Sequence, residues 1–344
     1  MLEIINGIPE PFAFYPHCQY SLVEAIGKYK GYFKDIDRSY FNHTIEYQNN
    51  NNGVIKYSGV QLDVNLYRQF DGLTDFIENS DKGKIANEIC YFYGIGIKCL
   101  EFRDFTSYKS YVEEQLSKGE PVLTESSLGY INTRRHYKKV FGRHFTIING
   151  KSKEGYSCIE QSLKPKYVLS ISDFKECFEY LLGQYGVVRI VYMEKNGLPA
   201  KFDIERVVNK LNRSLANLTT NSDHLGLRGL KCFVDQFENF YKDGNSVFIP
   251  GSWVFSHERI ASINWLEKVK EDLFLGQRVN EIDEYIETLN ILHNRWFQLD
   301  IRCEMSLALG TGRLNETINT LLKEIYDYEE KSTEKLQNII ERIG

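Results

Sequence analysis

The sequence predicts an α+β half followed by an α-helical half, and two observations carry that prediction. Residues up to about 198 mix short β-branched and aromatic runs with helical stretches, whereas from Asp203 onward one amphipathic helical pattern follows another. The segment Asn196-Gly197-Leu198-Pro199 punctuates the change and sets the expected domains at 1–198 and 199–344. A length of 344 residues suits about two domains.

In the first half, 18–30 reads as a helix because Leu22, Val23, Ile26 and Tyr29 recur at helical spacing. A second helix is expected over 84–93, then a turn at Gly94-Ile95-Gly96 and a strand over 97–102. Residues 107–118 form a third helix, stopped at Gly119, and 121–124 is extended. The runs 144–149 and 156–160, joined by a polar turn around Glu154-Gly155, make an antiparallel hairpin, and 185–193 is a further strand. In the second half the apolar stripes are Leu211, Leu215, Leu218; Leu230, Phe233, Phe237, Phe240; Ile260, Ile263, Leu266, Val269, Leu273; Ile282, Ile286, Leu289, Leu292; and Leu314, Ile318, Leu321, Leu322, Ile325. Such stripes require burial. No internal repeat of fixed period is present.

Composition narrows the function classes. Apolar residues at 42% and charged residues at 26% describe a globular chain. A net charge of −5 argues against a general nucleic-acid binder. No run of 18 apolar residues exists to span a membrane, and the first residues lack the pattern of a secretory signal. Seven cysteines, at 18, 90, 99, 158, 177, 232 and 303, contain no CxxC and describe neither a disulfide framework nor a zinc ribbon. A reducing cytoplasm is the expected compartment. The Asn run over 49–52 reads as a surface loop, and Gly310-Thr311-Gly312 as a turn. HExxH, the P-loop signature and a dinucleotide GxGxxG are absent, and His224, His257 and His293 show no ligand spacing.

Cys18 stands apart from the other cysteines. It follows Pro16-His17 and opens a helix, where free backbone N–H groups and the positive end of the dipole favour a thiolate. A nucleophilic cysteine needs a base and a group that orients the base. His144 begins one hairpin strand and Glu160 ends the other, so the carboxylate can hold the imidazole while its other nitrogen faces the thiol. The ordinary alternatives are a buried structural cysteine, a core histidine and an exposed strand-end acid.

A cysteine early on a helix, His144 at a strand start, Asn149-Gly150 before the turn and an acid sixteen residues after the histidine resemble the papain-like cysteine enzymes. Within that fold, Pro16-His17-Cys18, Gly119-Glu120-Pro121-Val122, Gly129-Tyr130 through His136-Tyr137 to Arg143-His144, and Trp296 in the helical half look like the butirosin-biosynthesis acyltransferase family. That resemblance implies a papain-like catalytic domain with an α-helical domain covering the active site and acceptor pocket. It implies an acyltransferase of secondary metabolism that takes an acyl group from an acyl or peptidyl carrier-protein thioester onto Cys18 and passes it to a small-molecule amine, forming an amide. Its only cofactor is the donor's phosphopantetheine arm, with no metal, nucleic acid or membrane involved, and a homodimer is compatible with it. A cysteine peptidase or thioesterase using water is the alternative, and a catalytically dead scaffold is a third reading.

The sequence departs from the papain-like pattern at two places. Phe12 stands where the peptidases place an oxyanion-hole Gln, leaving the Cys18 N–H and, as a candidate second donor, Gln19. The acid is Glu160, where relatives more often carry Asp. His17, adjacent to Cys18, is expected to line the site, and His136 is a second-choice base. The acid-free stretch holding Arg134, Arg135, Lys138, Lys139 and Arg143 reads either as a solvated loop or, for Arg134, Arg135, Lys138 and Lys139, as a dock for an acidic carrier and its phosphate.

Overall fold

The computed structural model describes residues 3–13, 18–39, 84–134, 137–139, 141–223, 226–241, 252–309 and 312–344. His17, Arg135, His136, His224, the Asn run 49–52 and Gly310-Thr311 lie outside the described residues, as does the side chain of Phe240. The described residues divide into two compact units: residues up to Ile36 with 84–200, and residues 37–39 with those from Lys201 onward. Residues 37–39, expected in the N-terminal domain, belong to the helical unit for a local reason. The Trp265 indole donates to the Arg38 carbonyl at 3.1 Å, Arg38 Nε pairs with Asp272 at 2.7 Å, and Lys210 Nζ donates to the Ser39 carbonyl at 3.1 Å.

The first unit is α+β. Its chain order is α1 (Cys18–Tyr29), α2 (Lys84–Tyr93), β1 (Ile95–Phe102), α3 (Phe105–Ser117), β2 (Val122–Ser127), β3 (Arg143–Lys151), β4 (Gly155–Ile159), β5 (Lys166–Ser170), α4 (Ile171–Tyr185) and β6 (Val188–Lys195). The strands form a six-stranded antiparallel sheet in the order β1-β6-β2-β3-β4-β5. Asp104 caps α3 by accepting the Ser107 N–H at 2.8 Å, and Ser170 caps α4 by accepting the Asp173 N–H at 3.0 Å. Tyr108 stacks on Phe174 at 5.3 Å, and Tyr156 meets the same ring at 4.2 Å, which fastens α3 and α4 to one face of the sheet.

Three expectations change here. Gly94 does make a turn, with φ +66°, but Ile95 and Gly96 already belong to β1. Tyr185 ends α4 instead of opening a strand, because Gly186 at φ +72° supplies the left-handed cap that stops the helix there. β5 and α4 add two elements beyond the expected ones.

The β3–β4 hairpin positions the histidine. Ile147 pairs with Ile159 and Ile148 with Cys158, then the register slips by one residue, so that Gly150 faces Ser157 and Lys151 faces Tyr156. Asn149 is the extra residue. Its carbonyl accepts the Ile5 N–H at 2.7 Å, and its side-chain amide donates to the Ile5 carbonyl at 3.0 Å. Helix α1 lies against β3 and β2, burying Tyr20, Leu22, Val23 and Ile26.

The second unit holds α5 (Ile204–Leu218), α6 (Gly226–Tyr241), α7 (Ser252–Phe274), α8 (Asn280–Leu309) and α9 (Asn315–Ile343). Asp203 caps α5 by accepting the Arg206 N–H at 2.7 Å. On α7 the expected apolar stripe is shifted. Ile260 and Ile263 are half-buried, while Arg259, Ser262, Trp265, Leu266 and Val269 are buried. Arg259 Nη2 pairs with Glu329 at 2.6 Å, and Glu329 also accepts the Trp296 indole N–H at 2.8 Å, so a paired charge occupies the inner face. No helix among the described residues is long and apolar enough to cross a membrane.

Candidate active site

Cys18 is the first residue of α1 and a half-buried free thiol. The first turn carries no acid to offset the helix's positive end, and its backbone N–H groups have no partner within the helix. The chain leading to it is fastened from two sides. Ser21 Oγ donates to the Phe12 carbonyl at 2.9 Å, and Gln161 Nε2 reaches the same carbonyl at 3.2 Å and that of Ala13 at 3.4 Å. The start of the helix is thereby tied to the residue that follows Glu160.

His144, the second residue of β3, is buried. Its Nε2 lies 3.0 Å from Glu160 Oε2. Cys18 is the ring's other side-chain neighbour, and with Nε2 at Glu160 the nitrogen left for the thiol is Nδ1. Burial opposes a charge on the ring, but the Cys18 sulfur and then Glu160 outweigh it and raise the histidine pKa from 6.5 to about 9. The ring therefore favours its protonated form.

Glu160 is fully buried directly after β4, and its backbone N–H donates to the Pro165 carbonyl at 2.8 Å, closing a short loop. Burial alone would raise its pKa. Hydrogen bonds from His144 and Arg134 reverse that and hold it below 4.5. Arg134 grips the carboxylate as a fork, with Nε at 2.9 Å from Oε1 and Nη2 at 2.8 Å from Oε2.

That fork gives part of the basic stretch an internal partner. Arg134 is committed to Glu160. Lys138 pairs with Asp173 at 2.6 Å and Glu176 at 2.8 Å and lies 4.2 Å over the Tyr130 ring. Arg143 Nε donates to the buried Glu125 at 2.8 Å, and its guanidinium covers Tyr185 at 4.4 Å. Of the four residues considered for carrier docking, Arg134 pairs with the buried Glu160 and Lys138 with the buried Asp173 and the exposed Glu176, and Arg135 lies outside the described residues. Lys139 is exposed with no partner among the described residues. Gln19 is buried, and its amide oxygen accepts no hydrogen bond among the described residues.

The structure sets His144 between Cys18 and the carboxylate of Glu160, the arrangement by which a thiol is activated for attack on an acyl carbon. Two contributors escaped the sequence: Arg134 as the partner of Glu160, and Gln161 as an anchor for the segment before Cys18. A usable signal did exist for the first. A carboxylate buried beside a histidine demands a second cation, and the acid-free run just before His144 was a source of one. Comparison with protein-family models and with curated proteins returns no match.

Proposed function

We propose that this protein is an acyltransferase of papain-like fold that forms an amide through an acyl-cysteine intermediate on Cys18. The observation that carries the reading is the line from Cys18 through His144 to Glu160, with the 3.0 Å contact holding the imidazole so that its other nitrogen faces the thiol. The Cys18 thiolate attacks the carbonyl of a carrier-bound thioester, and the tetrahedral oxyanion is received by backbone N–H groups at the start of α1. Collapse breaks the carbon–sulfur bond to the phosphopantetheine thiol, which leaves with the proton of the His144 imidazolium. An amine then attacks the acyl-cysteine, the neutral His144 takes the amine's proton, and the Cys18 thiolate is released as the amide forms. Glu160 holds the ring in both half-reactions. The topology of the first unit, a cysteine-headed helix against an antiparallel sheet whose third strand bears the histidine, supports the papain-like assignment.

The test is intact-mass spectrometry of the full chain after incubation with an acyl thioester. A single acyl adduct on wild type, absent from Cys18→Ala and resolved to amide by at least one amine from a panel of diamines and amino sugars, supports the proposal. Release as free acid regardless of amine would make the protein a hydrolase, and an undiminished adduct on Cys18→Ala would remove the nucleophile.

A further inference from the structure

We infer, building on the acyl-cysteine reading above, that Arg134 is a positioning residue whose fork keeps Glu160 aimed at His144 throughout the reaction. Glu160 is fully buried and has two cationic neighbours, His144 at 3.0 Å and Arg134 at 2.8 Å. Only one of these is permanent. In the proposed cycle His144 surrenders its proton to the leaving thiol and stays neutral until the amine arrives. During that interval a buried carboxylate with histidine as its sole partner would be an uncompensated charge, and it would capture a proton or swing away. Arg134 cannot deprotonate, so the carboxylate keeps a counter-charge when histidine has none.

The geometry adds direction to charge. Arg134 Nε bonds Oε1 at 2.9 Å and Nη2 bonds Oε2 at 2.8 Å, which fixes the carboxylate plane and leaves the remaining lone pair of Oε2 for His144. Nη2 also donates to the Gln161 carbonyl at 2.8 Å. Gln161 is the residue whose side chain holds the Phe12 carbonyl, so the same guanidinium braces the acid and the anchor of the segment leading to Cys18. Arg134 is itself held: its N–H donates to the Ile131 carbonyl at 3.0 Å, its carbonyl accepts the Tyr137 N–H at 3.1 Å, and Asn132 Nδ2 ties the loop to the Val168 carbonyl at 3.0 Å. A lysine at 134 would supply charge without the two-point grip.

The experiment measures the rate of Cys18 alkylation by limiting iodoacetamide against pH on the full chain, with folding of each variant checked by thermal unfolding. Arg134→Met is expected to move the acid limb of the profile upward by about one pH unit, because loss of an adjacent cation raises a carboxylate's pKa by roughly that much or more. Arg134→Lys should return part of that shift, and it carries the test if Arg134→Met does not fold. In a Glu160→Gln background, adding Arg134→Met should shift the acid limb no further, since Arg134 sets that limb through Glu160 while its hold on Gln161 bears on the overall rate. An unmoved limb in the Arg134 variants, or an equal shift with and without Glu160, overturns this inference while leaving the acyl-cysteine reading intact. If wild-type Cys18 reacts no faster than the other cysteines and His144→Ala changes nothing, the acyl-cysteine reading fails and this inference falls with it.

Discussion

Arg143 and His144 stand side by side on β3, and each reaches a different buried acid. Arg143 Nε donates to Glu125 at 2.8 Å, while His144 Nε2 meets Glu160 at 3.0 Å. Alternation along a strand sends neighbouring side chains to opposite faces, so the start of β3 is clamped from both sides. Glu125 also accepts the Arg189 backbone N–H at 2.7 Å, which links that clamp to β6. The imidazole therefore rides on backbone with little freedom to twist.

Removing the clamp on the far face should cost stability before it costs chemistry. Glu125→Ala leaves the guanidinium of Arg143 short of its buried counter-charge and should lower unfolding free energy by about 3–5 kcal/mol. Urea denaturation monitored by far-UV circular dichroism gives the number, since Trp253, Trp265 and Trp296 all lie in the second unit. A loss under about 0.5 kcal/mol, the range of ordinary surface changes, would show that the pair is not what holds β3.

Glu160→Gln should be far more damaging to rate than to fold. Arg134 donates to the group at 160 and would claim the amide oxygen, leaving the NH2 to face His144. The ring nitrogen there would then have to accept, which puts the imidazole proton on the nitrogen facing Cys18 and removes the base. Acyl-enzyme formation at neutral pH should fall by about 10²–10⁴-fold in stopped-flow or quenched-mass measurements. Near-wild-type rates would mean that the acid does not set the tautomer.

The pH dependence follows from the histidine. Its pKa is raised on folding from 6.5 to about 9, so the folded protein binds that proton more tightly than the unfolded chain does. The stability this provides is complete below pH 6.5 and is lost as pH rises through about 9. Wild type should lose more stability than His144→Gln across that window in paired urea titrations. Acylation should decline over the same basic limb, since a neutral ring has no proton for the leaving thiol. Parallel stability curves for the two proteins would contradict the assignment of this proton to His144.

The two lysines of the basic stretch should separate cleanly. Lys138→Glu places a carboxylate against Asp173 and Glu176 and should lower Tm along with turnover of every donor. Lys139→Glu touches no internal acid among the described residues, so Tm should hold within about 1–2 °C of wild type. If Lys139 meets an acidic carrier, that variant should slow the carrier-bound donor at low salt and spare a small thioester. Equal effects on both donors would remove Lys139 from any docking surface.

Local signals account for most of the first unit. The helix over 84–93 has the bounds its periodicity indicates, and the hairpin strands fall where β-branched runs flank Glu154-Gly155. Ser170, Phe174, Phe178, Leu181 and Gly186 mark the cap, stripe and stop of α4, but the apolar run directly after Tyr185 masks that signal with a strand pattern. On α7 the failure has a different cause. The inner face holds Arg259, whose burial is intelligible only with Glu329, seventy residues further along the chain. The site shows the same division. Cys18, His144 and Glu160 could be picked out by residue type and local context, whereas the bond between Arg134 and Glu160 spans 26 residues and became visible only once the fold closed it.

The slip at Asn149 acts as a parity switch for the hairpin. Counting from the turn, where Lys151 faces Tyr156 and Gly150 faces Ser157, unbroken pairing would set Asn149 against Cys158 and carry Glu160 to a place opposite Ile147. Ile147 points away from the face that His144 shares, so the acid would be buried on the wrong side of the sheet. One additional residue changes odd to even. Ile148 meets Cys158 instead, Glu160 comes level with Thr146, and it becomes a diagonal neighbour of His144 on a common face. Ile5 occupies both the carbonyl and the side-chain amide of the displaced Asn149. A segment with no reactive group of its own thus helps to decide which side of the sheet the reaction can use.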